Sequence, residues 1–372
     1  MYKLDQKNLE RVRPVLADLA DFQLHIHAVL DGHAPGVVYV DEPLRPGAAC
    51  LMAGDAVYLA GVPDNQGFNR AVNNLLPRDT YFVLFCDPDH WKDALDVVLK
   101  GTYAIRTRRR AYLYDRPKFA DWQDRVPESF SMQRIDAELL ALDLKNKDSV
   151  TAGILDEWQT LDLFLARGFG TCLICGTGIV SWSLVDYVKG DRCEIGIATD
   201  WDYRKQGFGT LTAAANAEYA RSRGFSTIGW HCWDNNAGSI GVAENVGFRQ
   251  VASYDVFINH WAAENISDMT QEEFQAFAEF YERELETQPP VSGFPHIVTA
   301  KAWGLSGNRE RCFRHLTKAV TMGWLRDVDH LRELWPELWF NPKLEQLQEW
   351  QDLILRFEMR NVTSEEISNV NE

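Results

Sequence analysis

The sequence is short of positive charge. Its 372 residues carry 38 Lys and Arg against 54 Asp and Glu, a net charge of −16 at pH 7. Such a surface repels nucleic acid and anionic lipid, so neither is expected as a partner. Long apolar runs are also missing. No stretch reaches the length of a membrane span, and the opening residues, Met1 to Pro14, lack the apolar core of a signal peptide. A cytoplasmic location is the expectation. Cysteine is sparse: the 7 residues are odd in number and scattered, which suits reduced thiols rather than a disulfide framework. Cys172 and Cys175 form a lone C-x-x-C inside an expected strand. A three-residue offset there points the two thiols to opposite faces, so no metal is expected. Two phosphate-binding signatures are absent as well. No G-x-G-x-x-G follows the first strand, and no glycine-lysine pair precedes a Ser or Thr. That excludes the dinucleotide-binding and P-loop readings.

The chain is long enough for two or three domains. Residues 1–127 read as an α/β unit of unassigned role. A helical stretch at Gln6–Asp18 leads to strands at Gly36–Val40, Ala56–Ala60 and Tyr81–Cys86, a helix at Trp91–Leu99 and a strand at Tyr103–Tyr114. The basic run Arg106 to Arg110 lies in that last strand and reads as the solvated face of an edge strand. Pro117 and Pro127 bracket a boundary. Residues 128–262 alternate more regularly. Strands are expected at Phe130–Ile135, Gly170–Cys175, Ile179–Tyr187, Arg192–Thr199, Thr227–Trp233 and Val251–His260. Helices are expected at Ala137–Leu144, Asp156–Ala166, Thr210–Arg223 and Ala237–Val246. Residues 263–360 are helical in pattern, at Glu272–Glu286, Ile297–Leu305 and Arg309–Met322, and residues 361–372 form a polar tail. Acidity is concentrated late: the net charge is −1, −6 and −9 over 1–127, 128–262 and 263–372.

One segment carries chemistry. The strand ending Glu194-Ile195-Gly196-Ile197-Ala198-Thr199 runs into Arg204-Lys205-Gln206-Gly207-Phe208-Gly209-Thr210 and then a helix. Loop amides and the positive end of a helix dipole converge there, which makes an anion site. Glycine at 207 and 209 lets the backbone close on a pyrophosphate with no Cβ in the way.

Arg-x-x-Gly-x-Gly matches the pyrophosphate motif of the GNAT superfamily. The downstream Asn235-Asn236-Ala237-Gly238-Ser239 and Ala243-Glu244-Asn245-Val246-Gly247-Phe248 resemble its second signature. Residues 168–254 resemble in particular a bacterial subfamily with Glu-Ile-Gly-Ile before the loop and Trp230, Cys232 and Asn236 after it. The firm similarity covers about a quarter of the chain. It implies an α/β architecture of the GNAT type, with a mixed, mainly antiparallel central sheet and splayed strands. To this are added the N-terminal α/β domain and a C-terminal α-helical hairpin domain. The resemblance further implies acetyl-CoA lying in a V between Arg192–Thr199 and Thr227–Trp233, without a metal. Its thioester would meet backbone at Ile197, Ala198 and Thr199. Its diphosphate would sit on Gln206, Gly207, Phe208, Gly209 and Thr210, with charge from Arg204 or Lys205. Asn236 would reach the pantetheine arm or a bridging water, and Ser239 joins the cofactor-binding residues. The helices at 297–322 resemble one tetratricopeptide repeat. Ala300 and Trp303 take the small and aromatic places, and Cys312, Leu316 and Ala319 the packing places.

Attack by an amine on a thioester needs a base, a held oxyanion and a leaving thiolate. Glu194 is the leading candidate base and His231 the second. Many superfamily members carry a tyrosine five residues before the phenylalanine as general acid. Here that position is Ala243, and Tyr254 on the last strand, or solvent, is expected to substitute. Trp158, Trp182, Tyr187 and Trp261 are candidate walls of the acceptor site, and Asp186, Asp200 and Asp202 candidate attractors of an amine. The expected activity is acetyl transfer to a primary amine of a small cationic molecule. Two alternatives stay open: acetylation of a protein N-terminus or lysine, and an acyl-CoA-binding module of low activity. The C-terminal helices, unable to bury their own apolar seam, are expected to dock on the rest of the chain, on a second copy or on a partner protein.

Overall fold

The computed structural model describes residues 1–77, 81–102, 104–259, 270–287, 290, 293–322, 349, 351–353 and 355. Tyr103, His260, Trp261, Trp324, Trp335, Trp339 and the tail from 361 lie outside the described residues. The chain forms two compact units. The first comprises Met1–Leu75, Val83–Val98 and Arg106–Phe257; the second comprises Leu76–Phe82, Leu99–Ile105 and Ile258–Glu372.

Twelve strands form one sheet. They are β1 (Tyr2–Lys3), β2 (Val37–Val40), β3 (Ala48–Ala53), β4 (Ala56–Gly61), β5 (Phe82–Phe85), β6 (Ala104–Tyr114), β7 (Phe130–Arg134), β8 (Gly170–Cys175), β9 (Gly178–Lys189), β10 (Arg192–Thr199), β11 (Thr227–Trp233) and β12 (Phe248–Asn259). Their order is β1-β2-β3-β4-β5-β12-β6-β11-β10-β9-β8-β7. The helices of the first unit are α1 (Arg13–Ala20), α2 (Leu24–Leu30), α3 (Gln66–Leu75), α4 (Lys92–Val98), α5 (Ala137–Ala141), α6 (Lys147–Glu157), α7 (Leu161–Arg167), α8 (Phe208–Ser222) and α9 (Ala237–Val246).

The strand order repeats itself across the middle. In each half four strands run in sequence, and the last pairs in parallel with a fifth: β4 with β5, and β10 with β11. A helix makes each parallel crossover, α3 in one half and α8 in the other, because parallel neighbours need a long connection. Each half then sends its final strand across the midline. β6 pairs with β11, and β12 lies between β5 and β6. The expected division at residue 127 is therefore replaced by one continuous sheet. The first 127 residues supply an inner strand to the second half. The basic run Arg106 to Arg110 is likewise interior to the sheet rather than on an edge. Arg106 and Arg108 pair with Asp255 on β12, and Arg110 pairs with Asp234 just past β11, at 2.5 Å. Arg109, one residue out of phase, stacks over Trp233 at 4.5 Å.

Local chemistry explains the boundaries. The Asn236 side chain accepts from the Ser239 amide at 2.9 Å and starts α9, and Gly247, at φ 117°, ends it. The helix expected over Asp156–Ala166 is α7, which begins only at Leu161, and α6 over Lys147–Glu157 stands where no helix was expected. Trp158 is extended, and the Thr160 hydroxyl caps α7 by accepting from Leu163 at 3.2 Å. Strand β3 and helix α2 carry too few turn or capping signals to be read from sequence, yet both are largely buried. The core beneath the sheet gathers Trp158, Phe164, Cys172, Val185, Ala217, Ile228 and Trp230.

In the second unit α10 (Gln271–Thr287), α11 (Phe294–Leu305) and α12 (Arg309–Thr321) follow the expected helical pattern. Ala300, Trp303, Cys312, Leu316 and Ala319 are all buried. Glu282 on α10 binds Arg311, Arg314 and His315 of α12, at 3.1, 2.5 and 2.8 Å.

Gly247 offers a direct test of the crossing. A Cβ there would lie 1.9 Å from the Arg116 carbonyl oxygen, in a backbone conformation that L side chains rarely adopt. The same turn anchors the exit of β6, since Asp115 donates to the Gly247 carbonyl at 3.2 Å. Gly247→Ala should cost at least about 2 kcal/mol, read as a lowered urea midpoint. An unchanged midpoint would show that this turn is not needed to hold the exchanged strand.

Candidate active site

The parallel ladder between β10 and β11 is short. It pairs Arg192 with Thr227, Cys193 with Ile228 and Glu194 with Gly229, and then stops. Both strands continue, β10 to Thr199 and β11 to Trp233, so they diverge from Glu194 onward. β11 keeps its partner on the other side, from Gly229↔Leu113 to Trp233↔Arg109. The result is a V with Glu194 at its fork and one edge of Ile195–Thr199 unclaimed by β11. From the other side β10 is fully laddered to β9. Ser183 donates to the Gly196 carbonyl at 2.8 Å, and Ser181 to the Ala198 carbonyl at 3.2 Å. Asn216 of α8 supports Ser183 from below.

The glycine loop sits where β10 hands over to α8. Lys205 and Gly207 both take positive φ, 59° and 83°, and turn the chain into the helix. Gly207 is the helix cap, with no side chain capping the first turn, so helical geometry leaves the amides of Phe208, Gly209 and Thr210 without intrahelical acceptors. That is the donor set an oligophosphate needs. Arg204 reaches back to the Thr199 carbonyl at 3.3 Å, and Gln206 to the Asp202 carbonyl at 3.2 Å. The two glycines serve different purposes. A Cβ at Gly207 meets open space, whereas one at Gly209 meets Ile197 and Thr199 of β10 at 3.2 and 3.3 Å. Position 209 thus keeps the helix start close to the V. On the far arm Asn236 is buried and its Oδ1 caps α9, while the Ser239 hydroxyl accepts from Trp230 at 3.0 Å. Both residues are built into the helix start rather than extended into the V.

Glu194, His231 and Tyr254 come together. His231 Nδ1 lies 2.8 Å from the Tyr254 hydroxyl, and its Nε2 lies 3.7 Å from Glu194 Oε1. Phe22 sets its edge against both rings, at 5.3 and 4.8 Å. The Leu24 amide donates to Glu194 at 3.3 Å. The segment before α2 thereby covers the fork. Burial raises the Glu194 carboxyl to about 7, against the opposing pull of the Leu24 amide, Arg192 and Arg109. Burial, helped by Arg109, lowers His231 to about 3, so its imidazole is neutral at physiological pH and too weak a base to compete. Burial also raises Tyr254, which keeps its proton. The pair Glu194 and His231 is thus a carboxyl beside a neutral ring, not an ion pair.

Other candidates divide. Tyr187 and Asp186 lie beside Glu194 on β9. Trp158 is core, its indole donating to the Val185 carbonyl at 2.9 Å, and Trp182 packs against the same core. Asp200 is tied to Asn146 at 2.5 Å and Lys145 at 3.5 Å. Asp202 is exposed. Ala243 is fully buried, so that position offers nothing to the V. Cys172 and Cys175 belong to separate apolar clusters, and burial pushes the Cys172 thiol up to about 12. Among the described residues no group of three or more His, Cys, Asp or Glu is arranged to hold a metal, and no helix is long and apolar enough to cross a membrane. Phe22, His25, Tyr58, Arg109 and Glu157 enter the site without having been anticipated. Glu157 carried one signal: a carboxylate in the last turn of a helix opposes the helix dipole and calls for another reason to be there.

A profile of the GNAT acetyltransferase family matches residues 19–257. The chain belongs to that family. The match starts in α1 and ends in β12, so it takes in both halves of the sheet. The uncharacterized N-acetyltransferase YdfB of Bacillus subtilis is 25% identical over 238 residues, which are 62% of this chain and 88% of that protein. Among solved structures, the GCN5-related N-acetyltransferase-like protein of Streptococcus suis shares the fold at a TM-score of 0.54 and 22% identity, covering 68% of this chain and 98% of its own. This chain is a GNAT-type N-acetyltransferase, and acetyl-CoA is the family's acyl donor. The amides at the start of α8 and the open edge of β10 fit a diphosphate and an extended pantetheine arm.

Glu194→Gln tests the fork in two ways. As a base, Glu194 must be ionised, so activity should rise with pH through about 7. The variant should lose that acidic limb and about 10²-fold or more in kcat. For stability the sign is opposite. The folded protein holds a proton that the unfolded chain releases near its ordinary 4.5, so stability falls as pH rises from about 4.5 to about 7. Glu194→Gln removes that loss and should be more stable than wild type at pH 8, by on the order of 3 kcal/mol. A variant less stable at every pH, or one retaining the acidic limb, would refute the assignment.

Proposed function

We propose that this acetyltransferase moves the acetyl group of acetyl-CoA to a primary amine of a small cationic molecule, by direct attack on the thioester. The observation that carries the reading is Glu194 at the fork of the V, desolvated and beside a neutral His231–Tyr254 pair. Glu194 takes the proton of the incoming ammonium. The amine nitrogen then forms its bond to the thioester carbon, the carbon–sulfur bond breaks, the sulfur takes the Tyr254 proton, and the surplus proton of the acylated nitrogen restores the tyrosine. Tyr254, holding its proton through burial, is the donor within reach of this cluster and replaces the hydroxyl lost at Ala243. Backbone at Ile197, Ala198 and Thr199 receives the thioester. Gln206 to Thr210 receive the diphosphate, with Arg204 and Lys205 adding charge, and Asn236 and Ser239 shape the far side of the pantetheine path. Phe22 and Leu24, closed over the fork, favour a small acceptor over a broad protein surface.

In this reading the helices at 294–321 are one tetratricopeptide-like hairpin, with a second copy of the chain or a partner protein as its docking surface. The proposed setting is the cytoplasm, consistent with buried, reduced thiols.

The test is steady-state release of free CoA with a panel of primary amines, alongside calorimetric titration of acetyl-CoA. Turnover with small cationic amines and none with peptide N-termini or lysines is expected. Gly209→Val should weaken acetyl-CoA at least tenfold, about 1.4 kcal/mol. The branched side chain meets Ile197 and Thr199 and lifts the helix start from the V. Full acetyl-CoA affinity in that folded variant would remove the loop from the binding site.

A further inference from the structure

Glu194 is one of three neighbouring carboxylates. Asp186 is the extra residue of a bulge in β9: Glu194 pairs with Tyr187, and Ile195 with Val185. Its carboxylate lies over Gly196, where a Cβ would come within 2.9 Å of Oδ2. Gly196 and Glu194 are two apart on β10 and share a face. Asp186 therefore stands on the face from which Glu194 projects. Glu157, the last residue of α6, receives a hydrogen bond from the Tyr187 hydroxyl. Burial raises all three; Glu157 further raises Asp186 and Glu194, while Glu157 itself is raised by Asp55 and Asp156 and held down by the Tyr187 hydroxyl. What acts on Asp186 is burial and the other two carboxylates. Arg109 reaches Glu157 and Glu194 electrostatically, but its guanidinium is stacked on Trp233.

Aromatic rings line the same place. His25 stacks on Tyr187 at 4.5 Å and 13°. Its Nδ1 meets the Tyr58 hydroxyl at 3.1 Å, and Tyr58 stacks on Phe85 at 4.8 Å. His25 is 7% exposed, and its Nε2 is buried with no hydrogen-bond partner. Burial lowers His25 to about 4, so the ring is neutral. With its proton on Nδ1, Nε2 offers a lone pair. A neutral imidazole with an unused acceptor, π-faces and partly exposed carboxylates together describe a receptor for an ammonium group.

Resting on the reading of an amine acceptor, we propose that the acceptor is a short diamine: one amine is acetylated at Glu194, and the second, still charged, is held by Asp186, Glu157 and His25. Glu194 alone serves a monoamine, whose charge is gone once its proton leaves. Two further carboxylates and a vacant imidazole acceptor serve a charge that persists through the reaction. Neighbouring strands stand about 5 Å apart, so the two nitrogens are spanned by roughly three or four carbons.

The experiment compares α,ω-diaminoalkanes of increasing length with alkylamines and amino alcohols of matching length, by CoA release from the full chain. The diamine of matching span should exceed its amino-alcohol counterpart in kcat/KM by about a hundredfold, chiefly through KM. In Glu157→Gln, and separately in Asp186→Asn, that ratio should fall at least about tenfold. Calorimetry confirms that each variant still binds acetyl-CoA. Equal kcat/KM for diamines and amino alcohols would overturn the second ammonium site and leave the amine acetyltransferase reading standing. A ratio unmoved in both folded variants would do the same. No turnover of any amine by a protein that binds acetyl-CoA would overturn both.

Discussion

Strand β11 is gripped on one side and released on the other, and the site follows from that asymmetry. A strand that leaves one neighbour stays in the sheet only if another holds it, since the backbone groups of each edge pair with the neighbour on that edge alone. β6 holds β11 from Gly229 to Trp233. With β11 so held, the ladder to β10 can end at Glu194 and leave the facing edges open to the V. β6 comes from the first half of the chain and β12 passes into it. The exchange of final strands is thus the condition for an open V in a continuous sheet.

The same constraint concentrates the chemistry. Glu194 occupies the last paired position before the strands diverge, and Gly229 and Gly196 leave the room its neighbourhood needs. A Cβ at 229 would sit 2.9 Å from the Glu194 side chain, and one at 196 would strike Asp186. Neither glycine is in a turn. Both are empty volumes that carboxylates fill. The segment Phe22 to His25 then closes over the cluster and removes water, and desolvation sets the protonation states: a carboxyl near neutrality, two neutral imidazoles and three tyrosines, Tyr58, Tyr187 and Tyr254, that keep their protons. Burial acts on each group with a sign fixed by its charge type. One physical cause therefore sets the protonation states of the proposed base, of its neighbouring imidazole and of the proposed acid.

The arginine run shows why a local pattern misled. Alternation along Arg106 to Arg110 reads as an edge strand with a solvated basic face. In the structure the basic face is matched by Asp255 and Asp234, acids brought from 124 to 149 residues away. The odd member, Arg109, turns to the opposite face and stacks on Trp233. The face is solvated as expected, with Arg106 and Arg108 53% and 59% exposed, but no window of that run shows that the strand has a neighbour on each side or that distant acids pair with it.

By itself the sequence determined the parts of the fold and site that are local. The strand–loop–helix around Arg204 to Thr210 and the order of elements from Gly170 to Val246 depend on short-range geometry, and they were legible. So was Glu194, because its place is fixed by distance along the chain to the glycine loop. The tertiary structure alone decided what depends on contacts distant in sequence. It put the first 127 residues into the same sheet and set Leu24 against Glu194, 170 residues away. It also brought Glu157 and His25 to the Tyr187 side chain, the neighbour of Asp186 on β9. Spacing along a chain fixes a backbone turn, but solvent exclusion arises only when separate segments pack, and here solvent exclusion gives the side chains their reactivity.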